Sequence, residues 1–283
     1  MESQLYNQWQ VYSPSSLLSQ ETEFQFTEML VSHYASSLQS DPAAQHYLSR
    51  VLELNNSEVL ETFRLGFSDR SLSKAFMGTS EEEAIRGVYQ RFGLFKPNGR
   101  ERFRGMIFVP IFDGNGDLAG AFGQRIASFP LIKRAETDYT VRPDVTGLFF
   151  QHEAMKTFKH ILLCESPFDV ICLHAAGVYN AIAMLDMSYF DDEHLSNLLE
   201  HDVESVTIAF SRTPSGNRYY AHVRRLLEGV DIRVDKLEGV IGESISSVWS
   251  KSKMMGRVLG QIDASQATQT HTNEHLCPHL FKH

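Results

Sequence analysis

Two carboxylates stand four residues apart in "ESPFDV": Glu165 directly after the apolar run "HILLC", and Asp169 in a stretch with helical character. A charge at the C-terminal end of a buried strand is paired, lies on a surface loop, or holds a metal. A second strand-like run, "SVTIAF", ends at Ser211 in "AFSRTPSGNRYY". In open α/β sheets, ligands sit beyond the C-terminal ends of the strands, so these two ends are where chemistry belongs. One acid at the first end and two at the second would make a magnesium cage, because hard cations take several oxygen ligands and two-metal phosphoryl chemistry uses carboxylates from separate strand ends. Here the second end offers Ser211, Arg212 and Thr213.

The elements around these residues follow a pattern. "HILLCE", "YNAIAML", "SVTIAF" and "VDIRVDKL" read as strands, alternating with helical "PFDVICLHAAG", "YFDDEHLSNLLEH" and "GNRYYAHVRRLLEG". This β-α repetition over residues 158–237 predicts a mainly parallel sheet flanked by helices, an α/β fold. Upstream, "RFRGMIFVPIF" and "DLAGAFGQRI" around "DGNG" predict a β-hairpin, followed by a loop. Before that the chain reads as helical. Phe26, Met29, Leu30, Tyr34 and Leu38 recur at helical spacing, Asp41-Pro42 caps a second helix, and "TSEEEAIRGVYQRFG" opens on cap residues and acids. Residues 1–25 are polar and expected to be weakly ordered. The predicted division is 1–40, a weakly ordered or helical N-terminus; 41–157, helices then hairpin; 158–250, the parallel-sheet domain; and 251–283, a polar tail expected to be disordered.

Bulk properties narrow the classes. The 283 residues suffice for one large or two modest domains. A net charge of −9 confines any nucleic-acid contact to a local basic patch. Cys164, Cys172 and Cys277 lack CxxC spacing and read as reduced thiols, which with the polar start of the chain and the lack of a long apolar run predicts a cytoplasmic protein off the membrane. Cys277, His279 and His283 form too weak a pattern for zinc.

"RERFRGMIFVPIFDGNGDLAGAFGQRI" with "HILLCESPFDVICLHAAGVYNAIAML" resembles the RNA-polymerase core of DnaG-type bacterial primases, with its TOPRIM fold, and most of all the primase-like proteins of plasmids and other mobile elements. The likeness extends to "VLETFRLGFSDRSL" and "YTVRPDVTGLFF" and runs from about residue 45 to about 250. It starts after the place of the zinc ribbon in those primases, which leaves a ribbon protein acting in trans as an open question.

The resemblance places the first metal-binding glutamate of the family on Glu165 and its aspartate four residues on at Asp169. The DxD pair falls on Ser211 and Thr213, with Arg212 between. The later acidic motif falls in "LEGVIGES", where Glu243 is the nearby acid. Two hydroxyls for two carboxylates, beside a guanidinium that can pair with Glu165, leave little attraction for a divalent ion. Glu165 and Asp169 then read as remnants in structural roles, Asp169 favoured by the helix dipole. Alternating Arg100, Arg102 and Arg104 entering a strand would share one face, and with Lys96 and Arg125 the resemblance implies contact with template or nucleotide. Arg218, Arg224, Arg225 and Lys236 read as helix-surface charges. The expectation is a primase-like protein without polymerisation and without a cofactor, acting on single-stranded DNA or RNA or on a replication partner such as a helicase. The alternatives are an active primase holding Mg2+ through Glu165, Asp169, Glu243 or Asp186, and a protein-interaction module without nucleic acid.

Overall fold

A computed structural model describes residues 19–260, apart from 51, 55–56, 76–78, 127–136, 143, 187–189, 238–243 and 250–258. In chain order its elements are α1 (Gln20–Ser40), α2 (Pro42–Arg50), α3 (Ser57–Thr62), β1 (Gly66–Phe67), α4 (Leu72–Ala75), α5 (Ser80–Arg91), β2 (Met106–Phe112), β3 (Leu118–Arg125), β4 (Thr137–Val141), α6 (Ala154–Thr157), β5 (His160–Cys164), α7 (Pro167–Ala175), β6 (Ala181–Ala183), α8 (Asp192–Glu200), β7 (Ser205–Ala209), α9 (Pro214–Glu228), β8 (Arg233–Lys236) and α10 (Ile245–Val248). They divide into two compact units: one from the described residues of 19–45 and 64–145, the other from those of 46–63 and 146–260.

The first unit is an antiparallel sheet in the order β1-β2-β3-β4 with helices on it. The hairpin forms where "DGNG" predicts it. Asp113 Oδ1 accepts from the amides of Asn115 and Asp117 at 2.9 and 3.1 Å, and Gly116 takes the left-handed backbone the turn requires. Leu30, Val31 and Tyr34 of α1 join Val88 and Tyr89 of α5, Phe95, Phe103 and Phe108 in one apolar core. β1 lies hard against α1: a Cβ on Gly66 would come within 2.6 Å of the Tyr34 Cβ.

Three expectations change here. α1 begins at Gln20, inside the stretch expected to be weakly ordered, because Ser19 caps it by accepting from the Thr22 amide and Glu21 and Glu23 favour its first turn. The loop expected after the hairpin contains β4, whose mostly polar sequence, exposed at Thr137 and Tyr139, hides a strand paired to β3. Arg100, Arg102 and Arg104 do not line one strand face. Glu101 makes an isolated bridge to Phe95, residues 102–105 turn, and β2 starts only at Met106, because Gly105 adopts a positive φ of 71° and breaks the alternation.

The second unit carries the predicted parallel sheet, in the order β6-β5-β7-β8. Cys164 is in register with Ala183 on one side and Ala209 on the other, so β5, β6 and β7 end level with one another. Their apolar side chains form a core with Phe149, Leu195, Leu198, Val223 and Leu227. Cys164 and Cys172 are free, buried thiols whose pKa burial raises, which makes them inert packing groups. Among the described residues no helix is long and apolar enough to cross a membrane.

Candidate site at the parallel strand ends

β5 delivers Glu165 to the level edge of the sheet, and β7 delivers Ser211 beside it. Both the amide and the hydroxyl of Ser211 donate to the same oxygen, Glu165 Oε1, each at 2.7 Å. The chain then turns within two residues into α9. Thr213 is the N-cap, its Oγ1 accepting from the Gly216 amide at 3.1 Å, and Pro214 fits the first helical position, where no amide is needed. The Ser211 and Thr213 hydroxyls lie 3.1 Å apart. Residue 216 has to be glycine in this turn, since a Cβ there would sit 2.1 Å from the Ser211 carbonyl oxygen.

Asp169 lies in the first turn of α7 and is fully buried. Its Oδ1 accepts from the Ser246 amide of α10 at 2.6 Å, while Oδ2 is buried without a hydrogen-bond partner among the described residues. Burial pushes the carboxyl up from 3.8 to about 7; the hydrogen bonds from Ser246 oppose the rise and the Glu165 charge adds to it.

As a donor set for magnesium these residues fit poorly. A hard cation wants several charged oxygens free to converge. One oxygen of Glu165 is engaged by neutral donors, Asp169 is poised between its two protonation states, and the other strand end contributes hydroxyls already used in the turn. Among the described residues no three His, Cys, Asp or Glu side chains are grouped to hold a metal; Glu243 lies outside them.

The basic residues belong to the first unit. Lys96 and Arg100 are exposed and face each other across a turn, the Lys96 amide donating to the Arg100 carbonyl at 2.8 Å. Arg102 pairs with Asp138 of β4 at 3.0 Å, so part of its charge is already answered. Arg125 Nη1 donates to the Arg104 carbonyl at 2.9 Å, drawing these two together. Arg70, which no sequence pattern singles out, approaches the same place: a Cβ on Gly105 would lie 3.2 Å from Arg70 Nη2 and 3.5 Å from Arg125 Nη1. In the second unit, Arg224 pairs with Glu228 along α9, and Lys236 sits over the Tyr220 ring at 4.4 Å.

Residues 159–238 match the model of the Toprim domain. The chain is similar to the DNA primase of Synechococcus elongatus, 28% identical over 158 residues, covering 50% of this chain and 22% of that protein. It is similar to the DNA primase of Aquifex aeolicus, 24% identical over 213 residues, covering 70% of this chain and 40% of the relative. The chain thus spans well under half the length of these relatives. Among solved structures, the DnaG catalytic core superposes with a TM-score of 0.68 at 20% identity, over 87% of this chain and 84% of that one. A DnaG primase catalytic domain bound to ssDNA gives 0.66 at 20% identity, over 85% and 81%. The order of helices, antiparallel hairpin sheet and parallel sheet is the fold of the DnaG primase catalytic core, with a Toprim domain at residues 159–238.

Proposed function

We propose that this protein binds single-stranded nucleic acid in a step related to replication priming, in the cytoplasm of a bacterium that carries a plasmid or other mobile element, and that it does so without metal-dependent polymerisation. The observation that carries this reading is the double donation from Ser211 to Glu165. Nucleotidyl transfer is mostly positioning and neutralisation of phosphate charge by cations. At this site the strand-end carboxylate is answered by a hydroxyl and an amide. Binding is supported by the similarity to DNA primases, by the ssDNA-bound structure of a protein of the same fold, and by the cluster of Arg104, Arg125 and Arg70 together with exposed Lys96 and Arg100. The result of binding would be to hold a strand, or to hand it to a replication partner such as a helicase.

A second reading is an active primase with an unusual metal site. It is favoured by the buried Asp169 Oδ2, which has no hydrogen-bond partner among the described residues and would be completed by a ligand together with Glu165 and acids such as Asp186 or Glu243. Primer synthesis on a single-stranded template with Mg2+ or Mn2+ and all four ribonucleotides separates the two readings. The expected result is strand binding and no primer. Primers made by the wild type and lost in Glu165→Ala would establish the second reading.

A further inference from the structure

The antiparallel sheet ends on β4, and its ladder fixes which backbone groups of β4 turn outward. The Arg142 amide donates to the Ala119 carbonyl at 2.8 Å, one pair beyond Gly120 and Val141. Antiparallel pairs alternate between bonded and non-bonded, so Asp138 and Thr140 bond to β3, while Thr137, Tyr139 and Val141 turn their amides and carbonyls away from it. The outward groups of Thr137 and Val141 have no hydrogen-bond partner among the described residues. The Tyr139 amide between them is taken by the carboxylate of its own neighbour. It donates to Asp138 Oδ1 at 2.9 Å, and the same oxygen accepts from Arg102 Nη2 at 3.0 Å.

The other strand edges are closed by other means. β1 has two residues and lies hard against α1. Phe150 exchanges both backbone bonds with Ala183 and covers the outer edge of β6. β8 carries charge at Arg233, Asp235 and Lys236. β4 has a single charge, Asp138, folded over the middle of its edge.

The sequence of β4 fits a copy of itself. In an antiparallel pairing about Tyr139, the outward groups of Thr137 meet those of Val141 of the second copy, and Tyr139 meets Tyr139, so all three bonded positions match at once. Asp138 then stands opposite the uncharged Thr140, and no like charges face each other. We propose that β4 is a strand-addition edge whose occupant is the β4 of a second copy of this chain, and that Asp138 is its latch. The pairing is two-fold and self-complementary. For the central pair to form, the Tyr139 amide leaves Asp138, which stays held by Arg102. Two strands of five residues bury less than the roughly 1,000 Å² of a stable interface, so the dimer is weak and the latch decides how much of it forms. This inference does not depend on the nucleic-acid reading.

The test is sedimentation of the full chain from about 1 to about 200 µM, with melting temperature as a check on folding. Asp138→Thr removes the latch and keeps a good strand former. Tyr139→Lys leaves the backbone intact and sets two lysines face to face on the two-fold axis; Tyr139→Pro removes the outward amide, which β3 does not use. The expected result is a weak, concentration-dependent dimer in the wild type, a dissociation constant about tenfold lower in Asp138→Thr, one about tenfold higher or more in Tyr139→Lys, and monomer throughout in Tyr139→Pro. A dimer of equal strength in wild type and Asp138→Thr, lost in both Tyr139 variants, keeps the interface and overturns the latch. A dimer that survives both Tyr139 variants lies on another surface and overturns the proposal. So does a monomer at every concentration in both the wild type and Asp138→Thr. If Asp138→Thr melts early, the wild type against Tyr139→Pro decides the interface by itself.

Discussion

Ser211 donates twice to one oxygen of Glu165, from its amide and from its hydroxyl, at 2.7 Å each. This couples the ends of two neighbouring parallel strands. In Ser211→Ala the amide bond remains and the hydroxyl bond disappears, leaving a part-buried carboxylate less well satisfied. The expected destabilisation is about 1–2 kcal/mol, read from the urea midpoint at neutral pH. A midpoint equal to that of wild type would mean the hydroxyl contributes nothing to joining the strands.

Asp169 gives the fold a pH dependence of definite sign. Its carboxyl is raised in the folded state from 3.8 to about 7, so between these values the folded chain holds a proton that the unfolded chain has released. Stability from this group is therefore largest below the unfolded value and falls as pH rises toward 7, with no further decline above it. Asp169→Asn keeps an acceptor for the Ser246 amide and removes the titration. Its stability should exceed that of wild type at pH 8 by a few kcal/mol and approach it near pH 4. Parallel stability curves for the two proteins across that range would contradict the assignment.

Glu101 is a fully buried carboxylate that accepts from Tyr34 Oη at 2.9 Å, Ser68 Oγ at 2.6 Å and the Ser73 amide at 2.9 Å. It joins α1, the loop after β1 and α4 through one side chain. Glu101→Ala strands three donors and should cost about 3 kcal/mol or more, measured by chemical denaturation. Arg102→Ala, by contrast, removes a half-exposed ion pair to Asp138 and should cost no more than about 1 kcal/mol.

What is legible in the sequence, and what is hidden, follows from the range of the interactions. The parallel sheet is readable because β5 and β7 are apolar runs and each loop between strand and helix is short. Thr79, Asp41 and Pro42 announce their helices because capping is local, within three residues: the Thr79–Glu82 capping box and the Asp41 bonds to the Ala43 and Ala44 amides form as the residue types suggest. β4 is hidden because a strand that reads Thr-Asp-Tyr-Thr-Val, with Thr137 and Tyr139 exposed, carries little apolar signal. The alternation in "RERFRG" misleads because one glycine with positive φ ends the strand period, and because the residues between the arginines, Glu101 and Phe103, are the buried ones. At the strand ends, the resemblance implies acids where Ser211 and Thr213 stand. The partnership of Asp169 with Ser246, 77 residues away, is not visible, since nothing local encodes it. Arg70 escapes notice for the same reason: its neighbour across Gly105 is distant in sequence.

In the proposed reading, the Ser211 and Thr213 hydroxyls do the work of a cation at the end of β7. Calorimetric titration of Mn2+ into the wild type and into the double variant Ser211→Asp/Thr213→Asp, with melting temperature as a second readout, tests it most directly. The account predicts no saturable binding and no thermal shift for the wild type. The double variant should gain a site, with a melting temperature that rises with Mn2+ because an ion held only by the folded state stabilises it. Stoichiometric Mn2+ binding by the wild type, abolished in Glu165→Ala, would contradict the account.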